Sequence, residues 1–347
     1  MKRRSTLYIG IALVMAMLGS AWITRDAQAA PQDSSTHDHT VTIMSQNMFG
    51  DAADFTPAFT ATSLPALEAA VGTIYQQVQA SNIPERAAAI ADEIGEAQPA
   101  LVGLQDLFQW FTGPLGSPPA TTVAYDQLQS LLGALAQRGL HYAPVAIATN
   151  TDVEAPSNLG FDVRLIDHNV ILARTDLPDL TLSNIQVHHF AHFLTVHTLI
   201  GTITIREGWV SVDATIKDKT FRFLTTHLDN VSSALRVAQS NELLQGPAAT
   251  SLPVVFSGDF NADADSGDPT YLNLIAGGFV DAWVVTNPGD PGYTCCHPTI
   301  SLRVDLVLVL NKVRPRDMEI VGNQPEDLTP SGLFPSDHFG VVATLRM

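Results

Sequence analysis

Cysteine is almost absent from this sequence. The 347-residue chain has two cysteines, Cys295 and Cys296, and they are adjacent. No disulfide can tie distant parts of the chain together, so a disulfide-dense scaffold is excluded. The pair can close a small local ring or remain as thiols. Cys295-Cys296-His297 has metal-ligand residue types, but zinc-binding cysteines are usually spaced more widely, so a local structural role is expected. Cations are also scarce: 18 Lys and Arg stand against 35 Asp and Glu, a formal net charge of −17. Such a chain repels polyanions at long range, and sequence-independent nucleic-acid binding depends on cation–phosphate contacts. Bulk charge therefore argues against a DNA-coating role while leaving local basic patches open. No uncharged apolar run beyond residue 23 reaches the ~20 residues of a spanning helix. A stable membrane span is not expected. Internal repeats and long charge runs are absent.

The amino terminus has its own pattern. Lys2, Arg3 and Arg4 precede an apolar run from Leu7 to Ile23, and Ala27-Gln28-Ala29 follows. A basic segment, a short apolar segment and an A-x-A site describe a secretory signal peptide, here residues 1–29, with cleavage after Ala29 or Ala30. An uncleaved anchor is the alternative, weakened by the run's shortness and by Gly19, Ser20 and Thr24. Export to the periplasm or outside the cell is the expected localisation. The mature chain would carry 14 basic and 34 acidic residues, a net −20. Residues 30–40 are polar and read as a linker. No further linker divides 41–347, which is taken as one domain.

Along that domain, apolar segments of strand type and segments of helical periodicity alternate. Strands are expected near 41–46, 100–104, 142–148, 161–173, 199–215, 220–226, 253–257, 304–310 and 340–345. Helices are expected near 65–80, 84–98, 125–137, 232–245 and 271–276. The second helix opens on Asn82-Ile83-Pro84-Glu85, a cap residue followed by an early proline. Helix–strand alternation at both ends of a strand-rich middle predicts a layered α/β domain. Trp209 and Trp283 read as core residues. Val187–His197, which holds His188, His189, His192 and His197, reads as an exposed loop or hairpin.

Several apolar strands end on polar residues of a narrow range of types. Ile43–Gln46 delivers Asn47, and Leu101–Leu104 delivers Gln105 and Asp106. Phe223–Thr226 delivers His227, and Val254–Phe256 delivers Asp259 and Asn261. Asp305 opens a strand, and Ser336-Asp337-His338 precedes the last one. Asn, Asp and Ser are common turn formers, so any one of these reads equally as a turn. His227 alone could be a satisfied partly buried histidine, and Asp305 alone an ion-pair partner of Arg303 or Arg314. Together they form a collection of oxygen ligands, amides and two histidines. Asp263 and Asp265 lie beyond the Gly258-Asp259-Phe260-Asn261 run and read as turn residues.

The set resembles the endonuclease/exonuclease/phosphatase superfamily, with its deoxyribonuclease I-like fold. The matching pieces are Gln46-Asn47, Gly103-Leu104-Gln105-Asp106, Thr226-His227-Leu228, Gly258-Asp259-Phe260-Asn261-Ala262, Arg303-Val304-Asp305 and Ser336-Asp337-His338, in the family's order. The resemblance implies a four-layer α-β-β-α sandwich, two packed and mainly antiparallel sheets flanked by helices, with the site at one end. It implies a metal-dependent hydrolase acting on phosphate esters. Asp106 would be the main metal carboxylate, with Asn47 and Asp337 close by. Such hard oxygen ligands suit Mg²⁺ or Mn²⁺. His338 would act as general base or phosphate contact, oriented by Asp305. Asp259 and Asn261 would position water or leaving group, and His227 would touch the scissile phosphate. The expected substrate is a phospholipid head group, a nucleic acid or a small ester, and the expected state is a monomer. One position departs from the family: Asp106 stands where Glu is usual, one methylene shorter. A degenerate binding module that keeps the fold is therefore the alternative function.

Overall fold

Chain order fixes the elements of the computed structural model, which describes residues 40–50 and 52–347. The expected signal peptide lies outside the described residues, and so does the expected linker except for Thr40. The first half runs β1 (Thr40–Asn47), α1 (Thr56–Phe59), α2 (Leu64–Ala80), α3 (Ile83–Ala97), β2 (Leu101–Pro114), β3 (Thr122–Asp126), α4 (Gln127–Gln137), β4 (Tyr142–Pro156), β5 (Phe161–Arg174) and β6 (Leu180–His189). The second half runs β7 (Leu194–Thr198), β8 (Gly201–Ile205), β9 (Gly208–Ile216), β10 (Lys219–His227), α5 (Ser233–Gln245), β11 (Val254–Asp259), α6 (Pro269–Ala276), β12 (Val280–Asp281), α7 (Ala282–Thr286), β13 (Asp305–Leu310), β14 (Arg314–Val321) and β15 (Gly340–Arg346). His39–Met347 forms one compact unit. Among the described residues no helix is long and apolar enough to cross a membrane.

Two large sheets result. The first has the order β14-β15-β1-β2-β5-β4 with β3 on β2, and the second β12-β13-β11-β10-β9-β6. Among the described residues, only β1·β2 and β10·β11 pair in parallel. Strand side chains alternate between faces, and these strands are apolar on both. In β1, Ile43 joins the core between the sheets while the next residue, Met44, faces the helices. Ile43, Leu101, Ile171, Val212, Phe223 and Val255 help fill the space between the sheets. Ile90 and Ile94 of α3 and Leu131 and Leu135 of α4 cover the first sheet. Leu243 of α5 and Leu274 of α6 cover the second. These are the four layers expected from the sequence.

Three differences are informative. The strand expected over 199–215 is two strands, broken at Arg206-Glu207. The helix expected from 125 begins at Gln127, because Asp126 caps it, its carboxylate accepting from the N–H of Gln129. And β2 and β4 run well past their expected ends. Beyond an irregularity between Leu104 and Leu107, the extension of β2 carries Trp110, which packs with Val163 and Leu165 of β5 and with Leu67, Val71 and Ile74 of α2.

Candidate active site

The topology explains why residues far apart in sequence meet. The parallel pairs β1·β2 and β10·β11 place Asn47 opposite Gln105 and His227 opposite Asp259. β13 runs antiparallel to β11, so its first residue, Asp305, faces Asp259. β15 runs antiparallel to β1, so the segment before it, which ends on His338, reaches the same edge. Two glycines permit this geometry. Gly103 lies against Thr225 and Ser257 of the other sheet, where an added Cβ would stand 2.5 Å from Thr225 Oγ1. Gly258 has φ +146°, and a Cβ there would meet the carbonyl oxygen of Thr226 at 2.1 Å. Its place before Asp259 is a backbone requirement.

Asp259 is the hub. Its Oδ2 accepts from Asn47 Nδ2 at 3.1 Å, and its Oδ1 accepts from the N–H of Asn261 at 2.8 Å. Nε2 of His227 lies 3.5 Å from Oδ2, and Nε2 of His338 lies 3.8 Å from it. Asn261 adopts a left-handed backbone (φ 48°), which Asn tolerates better than most residues, and its Nδ2 donates to the carbonyl of Leu228. Asp305 Oδ2 accepts from Nδ1 of His338 at 2.8 Å, while its Oδ1 is buried with no partner. Arg303 pairs instead with Asp281 at 2.6 Å. Burial pushes the His338 imidazole down, but Asp305, Asp259 and Asp337 outweigh it and hold the ring well above its ordinary value. Burial pushes Asp305 up against the opposing pull of His338.

Asp106 has a left-handed backbone (φ 54°) and sits within the β2 irregularity. Its carboxylate acts electrostatically on Glu207, which places it at the same end of the sandwich. Asp337 feels His338, Asp259 and Arg86, and burial raises it. Asn47 Oδ1 accepts from the N–H of Phe49 at 2.9 Å. All eight expected site residues thus converge on one edge. Asp263 accepts from the N–H groups of Asp265 and Arg303, as a turn residue does.

Two acids in the site were not anticipated. Asp167 of β5 is buried, and Glu207 lies just ahead of β9 with its Oε2 3.9 Å from Nδ1 of His227. Asp167 Oδ1, Glu207 Oε2 and His227 Nδ1 are all buried without a hydrogen-bond partner. Burial, then Asp167, Asp106, Asp229 and Asp259, push Glu207 well above the usual carboxylate range. A lone acid within a strand pattern and a lone acid at a strand start carry no signal in the sequence. Cys295 and Cys296 are joined to each other, and their sulfurs face Nε2 of His338.

The donor set fits a hard cation. Carboxylates and an amide oxygen crowd one edge, several carboxylates raise one another's affinity for protons, and a divalent ion would relieve that repulsion. Asp259, Asp305 and His338 alone bring three ligand atoms within 4.8 Å of one another.

No curated relative matches the chain in sequence. Solved structures do match in fold. An endonuclease/exonuclease/phosphatase family protein from Bacteroides thetaiotaomicron is 16% identical, with a TM-score of 0.56 over 88% of this chain and 94% of that one. A mannosyl-6-phosphatase from the same species is 15% identical, TM-score 0.53, over 88% of this chain and 100% of that one. TDP2 from D. rerio, in complex with a single-strand DNA product, is 17% identical, TM-score 0.53, over 89% and 100% of the two chains. The model of the Endonuclease/Exonuclease/phosphatase family matches residues 44–338, from the middle of β1 to the histidine beside Asp305. With the motif residues gathered at one edge of its two-sheet sandwich, the chain belongs to the endonuclease/exonuclease/phosphatase family.

Proposed function

We propose that this protein is an exported, divalent-metal-dependent phosphoesterase. The observation that carries the reading is the His338–Asp305 pair at 2.8 Å, set 3.8 Å from the Asp259 hub. Asp106, Asn47 and Asp337 would hold Mg²⁺ or Mn²⁺. The ion would neutralise charge on the non-bridging phosphate oxygens and favour the leaving group. Asp305 holds the proton of His338 on Nδ1 and leaves Nε2 to manage the proton of an attacking water. Asp259, braced by Asn47 and Asn261, orients that water or the leaving oxygen. His227 contacts the scissile phosphate, steadied by Asp167 and Glu207. The fold neighbours support phosphate esters as the substrate class, since one is a mannosyl-6-phosphatase and another holds a DNA product. The acid excess favours a small ester or a phospholipid head group over nucleic acid. The amino-terminal pattern supports export, and a monomer is the proposed state.

The test is turnover on a panel of chromogenic mono- and diesters, DNA, RNA, sphingomyelin and inositol phosphates. Asp259→Ala and His338→Ala should each abolish activity on the preferred substrate. Full activity in either variant refutes the assigned roles, and silence of the wild type on the whole panel favours the binding module.

A further inference from the structure

The adjacent cysteines do more than shape a bend. Sγ of Cys295 lies 3.4 Å and Sγ of Cys296 3.7 Å from Nε2 of His338, and one ligand atom from each residue lies within 4.8 Å of the others. Asp305 accepts the proton on Nδ1, so Nε2 is the ring nitrogen that faces the sulfurs. A carboxylate behind a ligating histidine is the usual orienting partner in metal sites. Across a tetrahedral zinc with Zn–S near 2.3 Å and Zn–N near 2.05 Å, sulfur and nitrogen stand about 3.6 Å apart. The two observed distances straddle that separation.

Main-chain bonds, not the sulfur link, hold this arrangement. Cys295 and Leu302 exchange N–H···O bonds at 3.0 Å, the N–H of His297 donates to the Asp337 carbonyl, and the N–H of Phe339 donates to the Thr294 carbonyl. The cysteine loop is thereby fastened to the residues on either side of His338. With the sulfur link open, these bonds would keep both sulfurs beside the ring, and the sulfurs would part to about 3.8 Å to share one zinc.

We propose that the reduced Cys295/Cys296 pair and His338 Nε2 form a site for a thiophilic cation of the Zn²⁺ class, which removes His338 from phosphoester chemistry while it is bound. The inhibitory part rests on the role proposed for His338. A phosphine reductant opens the site: it takes the oxygen of one water, the S–S bond breaks, and the water's two protons go one to each sulfur. On capture, both thiol protons and the proton on Nε2 leave to solvent, and Nε2 then donates its lone pair to the cation. The soft sulfur pair separates this site from the oxygen ligands suited to Mg²⁺.

Co²⁺ titration of the phosphine-reduced protein, freed of reductant under argon, tests the proposal. One equivalent should bind with a near-ultraviolet sulfur-to-cobalt charge-transfer band, and one equivalent of Zn²⁺ should displace it. The disulfide form and the Cys295→Ser/Cys296→Ser variant should lack the band. His338→Ala should keep it with affinity weaker by about tenfold or more. With Mg²⁺ in excess, one equivalent of Zn²⁺ should stop turnover by the reduced wild type and spare the disulfide form. No band in the folded, reduced wild type overturns the site, as does equal Co²⁺ affinity in His338→Ala. Continued turnover of the Zn²⁺-loaded reduced protein overturns the inhibition. A band in a protein that hydrolyses no phosphate ester in either redox state leaves the sulfur site standing and refutes the phosphoesterase reading.

Discussion

Asp305→Asn is the most informative single substitution. The native carboxylate accepts the Nδ1 proton of His338 at 2.8 Å, and its second oxygen is buried without a partner. Asn keeps the shape and removes the charge. A hydrogen bond to a charged group is worth about 1.5–3 kcal/mol, and about 1.4 kcal/mol is tenfold in rate. Loss of the ionised acceptor alone therefore lowers kcat roughly ten- to hundredfold. If the Asn amide turns its NH₂ toward the ring, the proton moves to Nε2, and the loss grows toward the order of 10⁴ known for the same change in serine-protease triads. KM should change little, because the role proposed for Asp305 is to orient His338 rather than to bind substrate. The fold should survive, since burial already pushes the Asp305 carboxyl up and a neutral isostere sheds that desolvation. The assay is kcat against pH on a chromogenic phosphate ester, paired with a thermal melt. A folded variant with kcat within about threefold of wild type refutes the argument that Asp305 orients a catalytic histidine.

Three further outcomes follow from other groups. Glu93 on α3 is buried with both carboxylate oxygens unpartnered, and burial, then Asp327, Glu96 and Asp92, push it from 4.5 up to about 8. A raised acid stabilises the fold below its unfolded value and loses that contribution as pH rises through the folded value. Urea unfolding should therefore show Glu93→Gln gaining on wild type by about 3 kcal/mol between about pH 5 and pH 8, whereas parallel curves contradict it. Glu207→Gln should keep kcat within about threefold at neutral pH, because burial and the carboxylates around it push that acid well above the usual carboxylate range and favour its neutral form. A tenfold loss there would mean that an ionised Glu207 is needed. Gly258→Ala should destabilise by about 2–4 kcal/mol, measured by chemical denaturation, since its Cβ would meet the Thr226 carbonyl at 2.1 Å from a backbone at φ +146°.

Much of this architecture was legible because the core strands are apolar on both faces and end abruptly on polar residues. β1, β2, β10, β11 and β13 announce themselves in that way. β6 and β14 do not: both lie at sheet edges, largely exposed, and Leu180–His189 shows no clean alternation of buried and exposed positions. The extensions of β2 and β4 were hidden because their apolar partners lie on α2, far away in sequence. Asp106 falls where the β2·β5 register breaks between Leu104 and Leu107, and nothing in the local sequence marks its left-handed backbone. Asp167 and Glu207 matter only through their nearness to His227, which sheet register creates and no local pattern encodes. The cysteine pair read correctly as a local feature, but its contact with His338 arises from the bonds that fasten residues 294–302 to residues 337–339.

On the proposed reading, a hard divalent cation held by the acidic edge of the sandwich drives phosphate-ester hydrolysis. The direct measurement is turnover of a chromogenic phosphodiester and monoester by the chelator-stripped protein, before and after Mg²⁺ or Mn²⁺ is restored. The account predicts no turnover in chelator and full recovery with either ion, with recovery lost in Asp106→Ala. Equal turnover with and without the ion, or no turnover of any ester after its return, contradicts it.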